Sequence, residues 1–216
     1  MGKSVYSIVL TDEVVAAIDH LALINGTNRS SLIDRILAEQ VSVVTPERRV
    51  RDILDNILHL MDERFIRDQS AANTALAVRS SLSYKYKPTV RYSIELLKQP
   101  EGDKIGVLKI SFRTRSEGFI SLLADFFTLW INAERELSGT AASYSADSDK
   151  LIRTLTFPKG KQSISANELG ELISDYIKTF DTALKQYFTY SSEPARAAQA
   201  VINTYKGALV KGIGRI

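Results

Sequence analysis

The 216-residue chain has no cysteine, which excludes disulfides, thiolate metal sites and a thiol nucleophile and fits a reducing compartment. Histidine is scarce as well. His20 and His59 are the only two, and neither has a partner at metal-ligand spacing; Asp62 and Glu63 are helix-surface neighbours of His59. There is no run of about 18 apolar residues to span a membrane, and the first residues read as a strand rather than a leader. A cytoplasmic protein with no membrane partner is expected. The stretch Pro158-Lys159-Gly160-Lys161-Gln162-Ser163 lacks the earlier glycine of a phosphate loop, and no nucleophile elbow or spaced acid pair occurs. These absences predict a protein that is not an enzyme and carries no cofactor and no metal.

The first forty residues carry the most information. Residues 4–10 alternate, with Tyr6, Ile8 and Leu10 on one face and Val5, Ser7 and Val9 on the other, the period of a strand. No hairpin partner is nearby in the chain, so such a strand must pair with something distant or with a second copy of itself. Thr11 is a candidate N-cap, with Asp12 and Glu13 in the first turn at the positive end of the helix dipole. Val14, Ile18, Leu21 and Ala22 then form one helical stripe. Gly26 supplies a left-handed stop. Asn28 caps a second helix with apolar Leu32, Ile33, Ile36 and Leu37, whose first amides, at Arg29 and Ser30, are free to hold a phosphate.

The run Tyr6-Ser7-Ile8-Val9-Leu10-Thr11-Asp12-Glu13, followed by Gly26-Thr27-Asn28-Arg29-Ser30-Ser31-Leu32-Ile33, resembles the ribbon-helix-helix DNA-binding family, the Arc and MetJ repressor class, over residues 3–42. The resemblance implies an intertwined homodimer, with one strand from each subunit forming an antiparallel ribbon in the major groove of double-stranded DNA. It places Val5, Ser7, Val9 and Lys3 at base edges, and Asn28, Arg29 and Ser30 at the phosphate backbone. Of the outward positions only Ser7 can hydrogen-bond, whereas the family commonly carries Arg, Lys, Thr, Asn or Gln there; valine methyls suit a thymine methyl. Residues 1–46 hold three basic side chains (Lys3, Arg29, Arg35) against five acidic ones (Asp12, Glu13, Asp19, Asp34, Glu39).

After Thr45-Pro46 the chain has no glycine or proline until Pro88, which predicts a long connecting helix over residues 46–83. Its stripe of Val50, Leu54, Ile57 and Met61 fits either a short coiled-coil seam or packing on the body. From Val90 the period becomes two. Val90, Tyr92, Ile94 and Leu96 alternate with polar residues, a turn follows at Pro100-Glu101-Gly102-Asp103, and Leu108, Ile110 and Phe112 alternate with Lys109, Ser111 and Arg113. This hairpin has a basic outer face (Arg91, Lys109, Arg113, Arg115). A helix with a broad apolar stripe follows, Phe119 to Ile131, and the order then recurs: strands near Tyr144 and over residues 151–157, and a helix over 165–188. Two ββα units would give a four-stranded antiparallel sheet with helices on one side. The last helix, from Ala195, precedes a glycine-containing tail.

The expected fold is therefore mostly α with an α+β body. It is divided into a ribbon-helix-helix DNA-binding and dimerisation domain (1–45), a connecting helix (46–83), an oligomerisation or ligand-sensing body (84–193) and a C-terminal helix and tail (194–216). The expected function is that of a sequence-specific DNA-binding transcriptional regulator, with repression as its mode and a small-molecule or protein effector acting on the body. Two alternatives stand beside it: a plasmid partition or conjugation accessory protein that uses the same DNA-binding segment, and a dimeric interaction module whose basic face takes an acidic partner.

Overall fold

The computed structural model describes residues 5–41, 44–68, 73–85, 87–138, 143–147, 149–158, 160, 164–213 and 216. The chain divides into two compact units, Met1–Thr45 and Pro46–Ile216.

In the first unit, helix α1 (Asp12–Ile24) begins after Thr11 with Asp12 and Glu13 in its first turn. It ends at a left-handed glycine. Gly26 has φ +59°, its N–H donates to the Leu23 carbonyl and the Thr27 N–H donates to the Ala22 carbonyl, the paired closure that satisfies the orphan carbonyls of a helix end. Two residues later Asn28 starts α2 (Arg29–Gln40), its side chain accepting from the Ser31 N–H at 2.9 Å. The chain thus begins with helices and not with a ribbon: residues 5–10 form no strand. The alternation of Tyr6, Ile8 and Leu10 with Val5, Ser7 and Val9 specifies faces, but a strand exists only when a second backbone takes its hydrogen bonds, and among the described residues no strand pairs with this segment.

The second unit also departs from expectation. The continuous helix expected over 46–83 is α3 (Pro46–Leu60) alone, followed by β1 (Ile66–Asp68) and β2 (Ala75–Ser81). Asp62 explains the stop. Its carboxylate accepts from the Arg64 backbone N–H at 3.1 Å and from the Arg64 guanidinium, while its carbonyl accepts from the Phe65 N–H, a local turn that competes with helix continuation. The α3 stripe of Val50, Ile53, Leu54 and Ile57 is buried in the core of this unit, so packing on the body accounts for it without a coiled coil.

The chain continues through β3 (Thr89–Glu101), β4 (Lys104–Phe112), α4 (Glu117–Ser138), β5 (Tyr144–Asp147), β6 (Lys150–Thr156), α5 (Ala166–Thr189) and α6 (Pro194–Val210). Among the described residues the sheet has six strands, not four, all antiparallel in the order β1-β2-β3-β4-β6-β5. One face is apolar. Leu76 and Val78, then Val90, Tyr92, Ile94 and Leu96, then Leu108, Ile110 and Phe112, then Leu151 and Leu155 are buried on it together with helix residues such as Phe126, Trp130 and Phe180. The alternate residues, among them Arg79, Arg91, Ser93, Glu95, Val107 and Lys109, lie on the opposite face. Helix α5 packs against both α3 and α6, and Gly170 permits the close approach to α3, since a Cβ there would sit 3.0 Å from the Asn56 Cβ and 3.3 Å from the Ile53 carbonyl oxygen.

Candidate nucleic-acid interface

The first unit buries little. Within α1 and α2 only Ala22, Leu32 and Ala38 are buried, whereas Val14, Leu21, Leu23, Ile24, Ile36 and Leu37 are exposed. A monomer leaves that much apolar surface in water at a cost of about 25 cal/mol per Å² relative to burying it. Residues 5–10 are exposed throughout, but unequally. Val5, Tyr6 and Val9 are 99%, 85% and 101% exposed, while Ile8 and Leu10 are 55% and 37% exposed. Exposure does not sort by the period of two, since Tyr6 shares its expected face with Ile8 and Leu10; Val5 and Val9 are turned fully to solvent.

At the start of α2, Asn28 uses its side-chain oxygen for the Ser31 amide. The Arg29 and Ser30 amides precede the first intrahelical bond, made by the Leu32 N–H to the Asn28 carbonyl, and so remain available to an anion. The Arg29 side chain is committed elsewhere. Its Nε donates to Asp19 Oδ1 at 2.6 Å and its Nη2 to Asp19 Oδ2, and this hydrogen bonding holds the Asp19 carboxyl below the usual carboxylate range. Arg29 thus presents its backbone to a phosphate more readily than its guanidinium. Lys3 lies outside the described residues.

In the body, Arg91 and Lys109 occupy one sheet face, since Arg91 opposes Ser111 and Ser93 opposes Lys109 in the β3–β4 register. Arg91 is tied to Asp68, Nε to Oδ2 at 3.2 Å. Arg113 and Arg115 lie beyond the end of β4 in the connection to α4, both exposed. The four are therefore not one surface: two sit on the sheet face and two at the end of the sheet. On the same face is an open groove of about 670 Å³, lined by Ala75, Ala77, Ser93 and Gly106 with Arg91, Glu95 and Lys104 around it.

The body also holds two buried polar clusters absent from the sequence reading. Arg153 and Glu134 are both fully buried and bonded, Arg153 Nε to Glu134 Oε1 at 3.0 Å and Nη2 to the same oxygen at 2.5 Å. Tyr176 donates to Glu134 Oε2 at 2.7 Å and accepts from Trp130 Nε1 at 3.0 Å. The Arg153 Nη2 also donates to the Ile216 carbonyl. Burial works against the Arg153 charge, but Tyr176 and Glu134 outweigh it and raise its pKa; burial and then Glu134 push the Tyr176 hydroxyl far up. In the second cluster the buried Asp181 accepts from Ser80 Oγ at 2.6 Å, Tyr92 OH at 2.9 Å and Lys185 Nζ at 2.7 Å. Each carboxylate has its charge and lone pairs met by neighbours, the condition for a charge to persist in a core. The sequence did carry a signal for them: Glu134 follows Trp130 by four residues and Asp181 follows Ile177 by four, so each falls on its helix's apolar stripe.

Among the described residues no group of His, Asp or Glu is arranged to hold a metal ion, and no helix is long and apolar enough to cross a membrane. No protein-family model matches the chain, and neither a curated protein nor a solved structure is detectably similar to it.

Proposed function

We propose that the chain is a sequence-specific DNA-binding regulator of transcription, acting in the cytoplasm as a homodimer and repressing by occupying its site. The observation that carries this is in residues 5–31. An exposed segment leads into two helices joined by a left-handed glycine closure, and the second helix opens on an asparagine cap with two free amides. The resemblance to the ribbon-helix-helix family rests on the same residues, read with an opening strand that the structure does not form. In this reading Val5, Ser7 and Val9 of two copies meet base edges in the major groove, and the Arg29 and Ser30 amides hold the sugar-phosphate backbone. The exposed apolar residues of α1 and α2 support the second copy, because association covers them.

The chemistry sets the character of the recognition. Ser7 supplies one hydrogen bond and the valines supply methyl contacts, so each base step discriminates less than the roughly 1–3 kcal/mol of a bidentate pair. Specificity then depends on two copies reading two half-sites. A gel shift at fixed salt with the DNA upstream of the protein's own gene, comparing wild type with the Ser7→Ala/Val9→Glu double variant, tests the reading. The wild type should bind at least tenfold more tightly than to an unrelated duplex, and the double variant should lose that preference. Equal affinity for both duplexes, or a preference that survives the double substitution, overturns it.

A further inference from the structure

The first unit is poor in cations, yet DNA affinity is mostly a matter of phosphate contacts, so the positive charge for a duplex must come from elsewhere in the chain. Residues 79–115 hold nine basic side chains against three acidic ones, a larger excess than the net +3 of the whole chain. The sheet sorts them. Strand β2 ends at Ser81, opposite Thr89 at the start of β3, and Val90 pairs with Phe112 at the end of β4. Those pairings bring the 82–88 loop and the residues after Phe112 to the same end of the sheet. Lys85 and Lys87 stand in the loop, Arg113 and Arg115 just beyond β4, and Arg79 one pleat in; all five are exposed.

The loop is held in place. The Leu82 N–H donates to the Pro88 carbonyl at 3.0 Å and the Lys87 N–H to the Tyr84 carbonyl at 2.9 Å, while the Tyr84 ring packs against Phe119 and Phe188, 5.5 and 5.0 Å between centroids. Among the described residues none of these five cations has an ion-pair partner, in contrast to Arg91 with Asp68, Lys98 with Glu47 and Lys104 with Glu101. Acids are close by at Glu117, Asp147 and Asp149, and the strand register sets Lys150 against Asp147; the other cations outnumber them. Four like charges at one end of a rigid sheet repel one another, a cost that a polyanion removes.

We propose that this end of the sheet, Lys85, Lys87, Arg113 and Arg115 with Arg79 beside them, is a second DNA contact that grips the sugar-phosphate backbone of a duplex without reading its sequence. This rests on the DNA-binding reading above and supplies the electrostatic part that the first unit lacks. The test is the slope of log affinity against log salt for the full chain on a 30-base-pair duplex of unrelated sequence, measured by fluorescence anisotropy. Each phosphate contact contributes about 0.9 to that slope. The variant Lys85→Ser/Lys87→Asn/Arg113→Ser/Arg115→Ser, with asparagine chosen at 87 because the residue has φ +44°, should flatten it by about 2 to 4, and each pair alone by about half as much. Lys206→Ser/Lys211→Ser, at the far end of α6, should leave it unchanged. Circular dichroism and thermal melts of the pair variants establish that the fold is kept.

A slope unmoved by the four substitutions, or moved as much by the α6 control, overturns the proposal while leaving sequence reading by the first unit intact. Conversely, Ser7→Ala/Val9→Glu should abolish sequence preference and preserve this slope. A wild type that binds no duplex at any salt but binds polyglutamate through the four cations would also overturn it, making the partner an acidic protein.

Discussion

Two buried carboxylates govern the interior of the body residue by residue. Asp181 has one donor from β2, one from β3 and one from its own helix, so Asp181→Ala strands the Ser80 and Tyr92 hydroxyls and the Lys185 ammonium at once. Breaking such a set costs about 3–5 kcal/mol, which denaturant unfolding would show as a lowered midpoint; a loss under about 1 kcal/mol would mean that water replaces the carboxylate. At the surface, Asp62 is lowered to about 2, first by its hydrogen bond to the Arg64 guanidinium. A carboxylate with its folded pKa depressed stabilises the protein above the ordinary carboxylate range and loses that contribution as pH falls through about 2. Both side chains are about 40% exposed, so solvent screening keeps the gain below about 1 kcal/mol. In Arg64→Ala the Asp62 resonance should titrate close to the ordinary carboxylate value; a midpoint still near 2 would assign the shift to the other groups around it.

Elements were legible in the sequence in proportion to how locally they are determined. The Asn28 cap, the Gly26 closure and the stripes of α4 and α5 depend on residues within a turn or two of each other, and the sequence shows them. β1 and β2 do not, because Leu76, Val78 and Ser80 become an inward face only through pairing with β3, and the absence of glycine and proline across residues 47–87 says nothing about a partner strand. The opening segment alternates in the same way, yet residues 5–10 form no strand, because alternation alone supplies no pairing. Where α3 meets α5 the demand is steric. Gly170→Leu must push Asn56 and the Ile53 carbonyl away, and overpacking of this kind costs about 1–3 kcal/mol. Thermal unfolding should show the loss, and Asn56→Ala in the same chain should recover part of it. An unchanged melting temperature for Gly170→Leu would mean that α3 and α5 are not packed as described.

For the whole molecule, charge and apolar surface are unevenly placed. The first unit holds exposed apolar residues and few cations, which the proposed association and base contact would use; the body holds a filled core and an excess of positive charge at one end of its sheet. The buried clusters around Glu134 and Asp181 were invisible as clusters in the sequence because their members come from strands and helices far apart in the chain. The proposal that two copies of the opening segment read a duplex is tested by selection from random double-stranded DNA by the full chain. Two related half-sites in inverted orientation should be enriched, and the enrichment lost in Ser7→Ala/Val9→Glu; a selected pool indistinguishable from the input, or the same motif selected by the double variant, would contradict it.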